Sequence, residues 1–410
     1  MGQPERYAGG DGGGAVSGKG QGFRTRLSHA GRAGTKALGF VNPPVHRGST
    51  VLFPDLASRA ANRARRGDQV LTYGTQGGPT HWELERMIAE IEGGTRALIV
   101  GTGLAAVTLP LLAYLRAGDH CLMLDSCYGP ARNFCDHYLA HMGVETTYYH
   151  PCIDEAGMAK LIRPNTKVVY TESPGSHTFE VQDIPAIARA AHARGAKVLM
   201  DNTWGIHYFQ PFKHGVDVSI QALTKYVGGH SDILLGSVTV NSDADWERVR
   251  SMASLHGHYA SPDDCWLALR GARTLAVRLE RQMESAIEVA LWLSHRPEVA
   301  QVLHPAPQGA PGHELWRRDF TGACSLFGVV FKPEFTTDDT HAFIEALQLF
   351  GLGSSWGGYE SLAVPTEITR TAGSGVFPGP LVRLHIGLED VRDLLADLEQ
   401  ALGAMRSRRR

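Results

Sequence analysis

The sequence predicts an α/β protein, with a mostly parallel sheet of seven strands in its larger part and a smaller α+β unit towards the C-terminus. Three observations carry this. At 410 residues the chain exceeds what one ordinary core serves. From about residue 80 to 240, short apolar runs alternate with amphipathic stretches of helical period, the pattern of parallel strands covered on both faces by crossover helices. After Asp263 a long helical stretch gives way to a second rhythm of strands and helices.

Residues 1–22 are glycine-rich and nearly free of large apolar groups, so they cannot offset their ordering entropy and are expected as a disordered arm. Within them, residues 13–19 match G-x-x-x-x-G-K. Gly20 stands where a Ser or Thr would hold Mg²⁺, no strand precedes and no apolar helix follows, so no nucleotide site is read there. An N-terminal segment covers 23–79. Thr80, His81, Trp82 and Glu83 have capping-box spacing ahead of Leu84, Ile88 and Ile91 on one helical face. Strands are then expected at 97–100, 121–125, 144–149, 168–172, 198–201, 216–223 and 233–240, with helices at 104–115 and 184–194 among them. The sheet layer is placed at 80–262. In the remaining 263–410, a linking helix to about Ser294 precedes strands near 299–304, 326–331 and 382–386, a helix near 338–349 and a last helix from Glu389. The arginines of 406–410 read as a solvated tail.

Composition narrows the function. The net charge of −2, from 40 basic and 42 acidic residues, gives no reason to expect nucleic acid or an anionic membrane as partner. No stretch reaches the roughly 18 apolar residues of a membrane span, and the N-terminus lacks the apolar core of a signal peptide. The six cysteines form no C-x-x-C pair and read as free thiols of a reducing compartment, with cytoplasm the expected location. Cys127 reads as a small packing residue. The histidines form no H-E-x-x-H, and no metal is assigned.

Ligands of open parallel sheets lie beyond the carboxyl ends of the strands, and four polar features fall there. Thr102, Gly103 and Leu104 open a helix whose free N–H groups and dipole suit a phosphate. Tyr128 follows the strand ending at Asp125 and can stack on a ring. Asp201 closes the run VLMD, where a turn cap is the plainer reading. Lys225 sits in SIQALTKYVGGHSD with no acid nearer in sequence than Asp217 and Asp232. Lysine is scarce, only 8 of the 40 basic residues, so one that persists beside an apolar run points to a need for the amine. Pyridoxal 5′-phosphate requires all four together: a lysine, a carboxylate for the pyridine nitrogen, an anion hole and a flat partner for the ring. Water-poor surroundings would favour the neutral, nucleophilic amine of Lys225.

Eight motifs in order make the chain recognisable. They are YGTQGGPTHWELE (73–85), TESPGSHTFEVQDIP (171–185), MDNTW (200–204), IQALTKYVGGHSD (220–232), LRGARTLAVRL (269–279), GHELWRRDFTG (312–322), SSWGGYESL (354–362) and RLHIGLED (383–390). Over about residues 28–405 the chain resembles the Cys/Met-metabolism (trans-sulfuration) family of pyridoxal-phosphate enzymes. The resemblance implies the aspartate aminotransferase-like fold, PLP fold type I. It makes Lys225 the covalent anchor of the cofactor, Asp201 the partner of its ring nitrogen and Tyr128 the stacking residue. Gly103, Leu104 and Thr224 would hold the phosphate. Tyr73 would reach the cofactor and substrate of a neighbouring subunit, implying a homodimer or homotetramer with shared active sites and a subunit-contacting role for 23–79. Arg383 would clamp the α-carboxylate of a small amino-acid substrate, with Ser355 and Trp356 lining its pocket.

The implied reaction is α,β-elimination of L-cystathionine, or a related cysteine S-conjugate, to a thiol such as homocysteine, pyruvate and ammonia. Lys225 would carry the Cα proton, with Tyr128 exchanging one with the substrate amine. Trp356 and His385 stand where γ-acting relatives tend to carry leucine and serine, which favours the β-acting carbon–sulfur lyases. The alternative is a γ-lyase, a γ-replacing synthase or a pathway-specific cysteine-conjugate lyase. One departure stands out: Thr75 and Gln76 occupy the positions where close relatives usually place a phosphate-pairing arginine.

Overall fold

The computed structural model describes residues 20–33, 39–373 and 377–408. The arm expected over 1–22 therefore lies outside the described residues except for its last three, as does the discarded phosphate-loop match. Seven strands form the larger sheet: β1 Arg96–Val100, β2 His120–Leu124, β3 Glu145–Tyr149, β4 Thr166–Glu172, β5 Lys197–Asp201, β6 Val218–Gln221 and β7 Gly236–Val240. Their spatial order is β1-β7-β6-β5-β4-β2-β3. β7 pairs antiparallel with both β1 and β6, while the other pairs are parallel. All five residues of β2, HCLML, are buried, as a strand covered on both faces requires.

A second sheet follows, with β8 Val299–Leu303, β9 Leu326–Phe331, β10 Leu362–Thr366 and β11 Leu381–His385 in the order β10-β11-β9-β8, every pair antiparallel. Two apolar cores correspond to the two sheets. Leu122, Val169, Leu199 and Ile220 belong to the first, and Val329, Phe331, Phe343, Val382 and Leu398 to the second. The helix Leu275–Ser294 joins them: Leu275 and Leu279 pack in the first core, Ala286, Val289 and Leu293 in the second.

Four local features differ from the sequence expectation. The linking helix is two helices, Pro262–Arg273 and Leu275–Ser294, broken at Thr274. There Arg278 turns its guanidinium onto the Gly271 carbonyl at 2.9 Å and towards that of Val227 at 3.5 Å, tying the break to the loop after Lys225. The capping box expected at Thr80–Glu83 is displaced. The helix begins at Pro79, whose missing N–H costs nothing in the first turn, and His81 Nδ1 accepts from the Gly78 N–H at 3.2 Å. Thr80 Oγ1 instead accepts from His46 N–H. Strand β10 was not legible because LAVPT is short and carries Pro365, tolerated since β10 is an edge strand. Arg406 is not part of a solvated tail: it lies in the last turn of the helix Val391–Arg408 and meets Glu298 at 2.6 Å and Glu399 at 3.0 Å, while Arg408 is exposed as expected.

The two sheets are tied beside the site. Asp125, just past β2, accepts from the N–H groups of Thr371 and Ala372 and pairs with Arg132, and these partners hold its carboxyl below the usual range despite burial. In the smaller core, Phe343 packs edge-on against Phe331 at 5.4 Å between centroids. Phe343→Ala should lower unfolding stability by about 3–5 kcal/mol through lost burial and a residual cavity; urea titration of the purified variant measures it, and a change below about 1 kcal/mol would mean that this core contributes little.

Candidate active site

Because β7 alone runs against the rest, the carboxyl ends of β1, β2, β4, β5 and β6 share one edge of the sheet. The chain leaving that edge places Thr102, Tyr128, Glu172, Asp201 and Lys225 around one cavity of about 540 Å³, closed from the second sheet by Ser355, Trp356 and Arg383. The structure thus brings together nine of the ten residues singled out in the sequence: Gly103, Leu104, Tyr128, Asp201, Thr224, Lys225, Ser355, Trp356 and Arg383. The tenth, Tyr73, lies elsewhere, half-exposed in a surface depression with His46, Gly48 and Tyr259.

Lys225 lies in a tight turn after β6, held by its own N–H to the Ala222 carbonyl at 3.1 Å and by Gly229 N–H to its carbonyl at 2.8 Å. The amine donates to Ser355 Oγ at 2.5 Å and stands 5.5 Å from the Trp356 ring centre. Burial, together with repulsion from Arg383 and only partly opposed by Asp201, lowers its pKa to about 8. The amine is therefore poised to lose its proton near neutrality. Ser355 is held at φ +87, and Gly357 at φ +88 lies so close that an added Cβ would stand 2.7 Å from Tyr226 N. Only glycine allows the loop to press onto the lysine segment in this way.

Asp201 ends β5, one carboxylate oxygen accepting from the Thr203 N–H at 3.0 Å. Burial raises its proton affinity against the pull of Thr203 and Lys225. Glu172, its neighbour in register on β4, holds the Tyr128 N–H at 2.7 Å, and burial plus the adjacent Asp201 pushes its carboxyl well up. Sequence reasoning passed over Glu172, although its place at a strand end beside Asp201 was the available signal. Behind Asp201 lies a further buried acid, Glu92, whose carboxyl is raised to about 8 by burial and receives Asn202, Ser219 and Gln221.

The residues suit pyridoxal phosphate. At the start of the helix Gly103–Tyr114, Thr102 Oγ1 accepts from Ala105 N–H at 3.0 Å, while the N–H groups of Gly103 and Leu104 have no acceptor among the described residues. Gly103 approaches the lysine segment so closely that an added Cβ would meet that of Ala222 at 2.7 Å. Thr224 Oγ1 accepts from Leu235 N–H at 3.0 Å and donates to the Leu235 carbonyl at 3.2 Å, so it joins the cradle by turning its proton off that carbonyl. Two free helix N–H groups and a hydroxyl form an anion cradle, with a buried carboxylate and a deprotonatable lysine on the same cavity wall. Gln76 takes no part in it: the side chain is buried against Arg250 and Ser254, so this position anchors the loop to the helix Asp243–Leu255.

A fold of this kind with a lysine, a carboxylate and an anion cradle at its strand ends defines a lysine-anchored cofactor enzyme. Comparison with known proteins identifies which. Residues 24–403 match the family described as Cys/Met metabolism PLP-dependent enzyme. A protein of Rhizobium johnstonii provisionally named cystathionine beta-lyase is 50% identical over 388 residues, covering 93% of this chain and 96% of its own. The cystathionine beta-lyase MetC of Escherichia coli is 42% identical over 383 residues, with 92% and 96% covered. The crystal structure of metB from Corynebacterium glutamicum superposes with a TM-score of 0.85 at 33% identity, covering 94% of this chain and 98% of that one. The chain belongs to the Cys/Met-metabolism PLP-dependent enzymes.

Covalent capture of pyridoxal phosphate through Lys225 would need its neutral amine. Its rate should climb with pH and level off above about 8. Stopped-flow absorbance measures this, and a profile still climbing towards the ordinary lysine value of 10.5 would contradict the burial argument.

Proposed function

We propose that the protein is a carbon–sulfur lyase that cleaves L-cystathionine, or a related cysteine S-conjugate, by α,β-elimination to a thiol, pyruvate and ammonia. The observation that carries the reading is the joining of a proton-labile Lys225 to Arg383 and Asp201 around one cavity. The relatives named cystathionine beta-lyase support the choice of reaction.

When bound, pyridoxal phosphate supplies an electron sink conjugated to the substrate Cα. Arg383 keeps one Nη on the Ser355 carbonyl at 3.1 Å and has its remaining N–H groups for the substrate α-carboxylate. That contact orients the Cα–H bond, and such fixed positioning can supply several kcal/mol of barrier reduction. The Lys225 amine takes the Cα proton as general base, its proton affinity being matched to neutral operation. Ser355, already in contact with the amine, steadies it. The thiolate then leaves from Cβ, and the released enamine hydrolyses to pyruvate and ammonia. Tyr128 would stack on the cofactor ring; burial, with the carboxylates of Asp201 and Glu172, pushes its hydroxyl pKa up, so it keeps a proton to exchange with the substrate amine.

The reading extends to assembly. Tyr73 lies outside its own chain's cavity, on a segment that exposes Phe40, Val41, Leu52 and Leu56. Both features fit a homodimer or homotetramer whose copies complete each other's sites. Among the described residues no helix is long and apolar enough to cross a membrane, which fits the cytoplasmic location read from the composition.

Two measurements test the function. Wild-type protein loaded with pyridoxal phosphate should release pyruvate from cystathionine; 2-oxobutyrate instead would mark a γ-eliminating enzyme. Lys225→Ala should cut pyruvate release by at least about 10²-fold, and full release from that variant would end the proposal.

A further inference from the structure

We infer that His177 makes a second contact to the carboxylate held by Arg383, and so contributes to the preference for substrates that carry an α-carboxylate. This deepens the reading of the cavity as an amino-acid site and rests on it. His177 lies in the turn after β4, within TESPGSHTFE, and was not singled out in the sequence, because a histidine in a polar turn has no spacing to distinguish it.

Three observations converge on this ring. It lines the main cavity and also an adjoining one of about 220 Å³ beside Asp125 and Arg132. Its Nδ1 is buried without a hydrogen-bond partner, and no described residue bonds to its other nitrogen. Native structures rarely leave a buried polar atom unpaired, so an unpaired one facing a cavity invites a ligand. Burial, with the charge of nearby Arg383, lowers the imidazole pKa to about 4. The ring is therefore neutral where the enzyme works and carries one N–H to donate. Beside a guanidinium, a neutral donor adds a directional hydrogen bond to a carboxylate without adding a second charge to the empty site.

The backbone fixes the ring there. His177 has φ +64 and Phe179 φ +56, a left-handed conformation in which histidine is several-fold enriched over most residues. Hydrogen bonds hold the turn: Gly175 N–H to the Glu180 carbonyl at 2.9 Å, Ser176 N–H to the Ser126 carbonyl at 2.7 Å and Phe179 N–H to the Gly175 carbonyl at 3.0 Å. Arg370 clamps it from the second sheet, donating to Thr178 at 2.7 Å and Glu180 at 2.6 Å. A donor presented on so braced a turn needs little reorganisation when substrate arrives.

The test uses holoenzyme and two ligands that cannot be eliminated: L-alanine, and ethylamine as its carboxylate-free counterpart. Binding is read from the change in the cofactor's visible absorbance. His177→Phe should weaken L-alanine about tenfold and leave ethylamine within about twofold, whereas His177→Asn should recover part of the loss. With cystathionine, the KM of His177→Phe should rise similarly while kcat moves less than about threefold. The inference is overturned if His177→Phe binds L-alanine as wild type does, or if both ligands weaken alike, which would make the ring a shape-filling group only. Failure of wild-type holoenzyme to bind L-alanine at all would bring down the amino-acid reading, and this inference with it.

Discussion

A lysine amine held out of water, with Arg383 weighing on it more than Asp201 does, is the condition on which the rest of the site depends. An exposed lysine would be a fully charged ammonium near neutrality and a poor nucleophile. Burial alone would be costly and unspecific. The structure sets the amine on a hydrogen-bonded turn at the end of β6, gives it the Ser355 hydroxyl and the face of Trp356, and keeps the opposing acid, Asp201, one strand away on β5.

Much of the molecule follows from holding that arrangement. The parallel strands deliver Tyr128, Glu172, Asp201 and Lys225 to a common edge, and the one reversed strand, β7, returns the chain beside β6 so that Leu235 can bind Thr224. From the other side, β11 brings Arg383 and the preceding loop brings Ser355 and Trp356. His385, two residues along from Arg383, accepts the Gly357 N–H through Nε2 and meets Ser325 through Nδ1. Burial keeps its pKa at about 3, so the ring stays neutral and can remain an acceptor. Tyr226, next to the lysine, closes this chain onto Ser325 at 3.1 Å. The loop that contacts the amine is thus fastened to the residue beside it.

What could be read from the sequence was whatever depends on local pattern. All seven strands of the larger sheet were expected within a few residues, because most are apolar or β-branched runs bounded by turn formers. Lys225, Asp201 and Tyr128 were found as polar residues at the ends of such runs, and Arg383, Ser355 and Trp356 through the resemblance. What could not be read depends on distant partners. The break at Thr274 follows from a guanidinium reaching two carbonyls, one of them 51 residues away in sequence. The helix Leu56–Ala64 buries no side chain, and its apolar face is one leucine followed only by alanines. Gln76 looked like a missing phosphate ligand, yet its side chain is spent on Arg250. His177 owes its interest to an unpaired ring nitrogen and the nearness of Arg383, and neither leaves a trace in sequence.

The central claim, that Lys225 is the residue joined to pyridoxal phosphate, is tested most directly by reducing the holoenzyme with borohydride and mapping its peptides by mass spectrometry. The account predicts that the cofactor's mass appears on the peptide containing Lys225 and on no other. Finding it on any of the other seven lysines, or on none while the protein is catalytically active, would contradict the account.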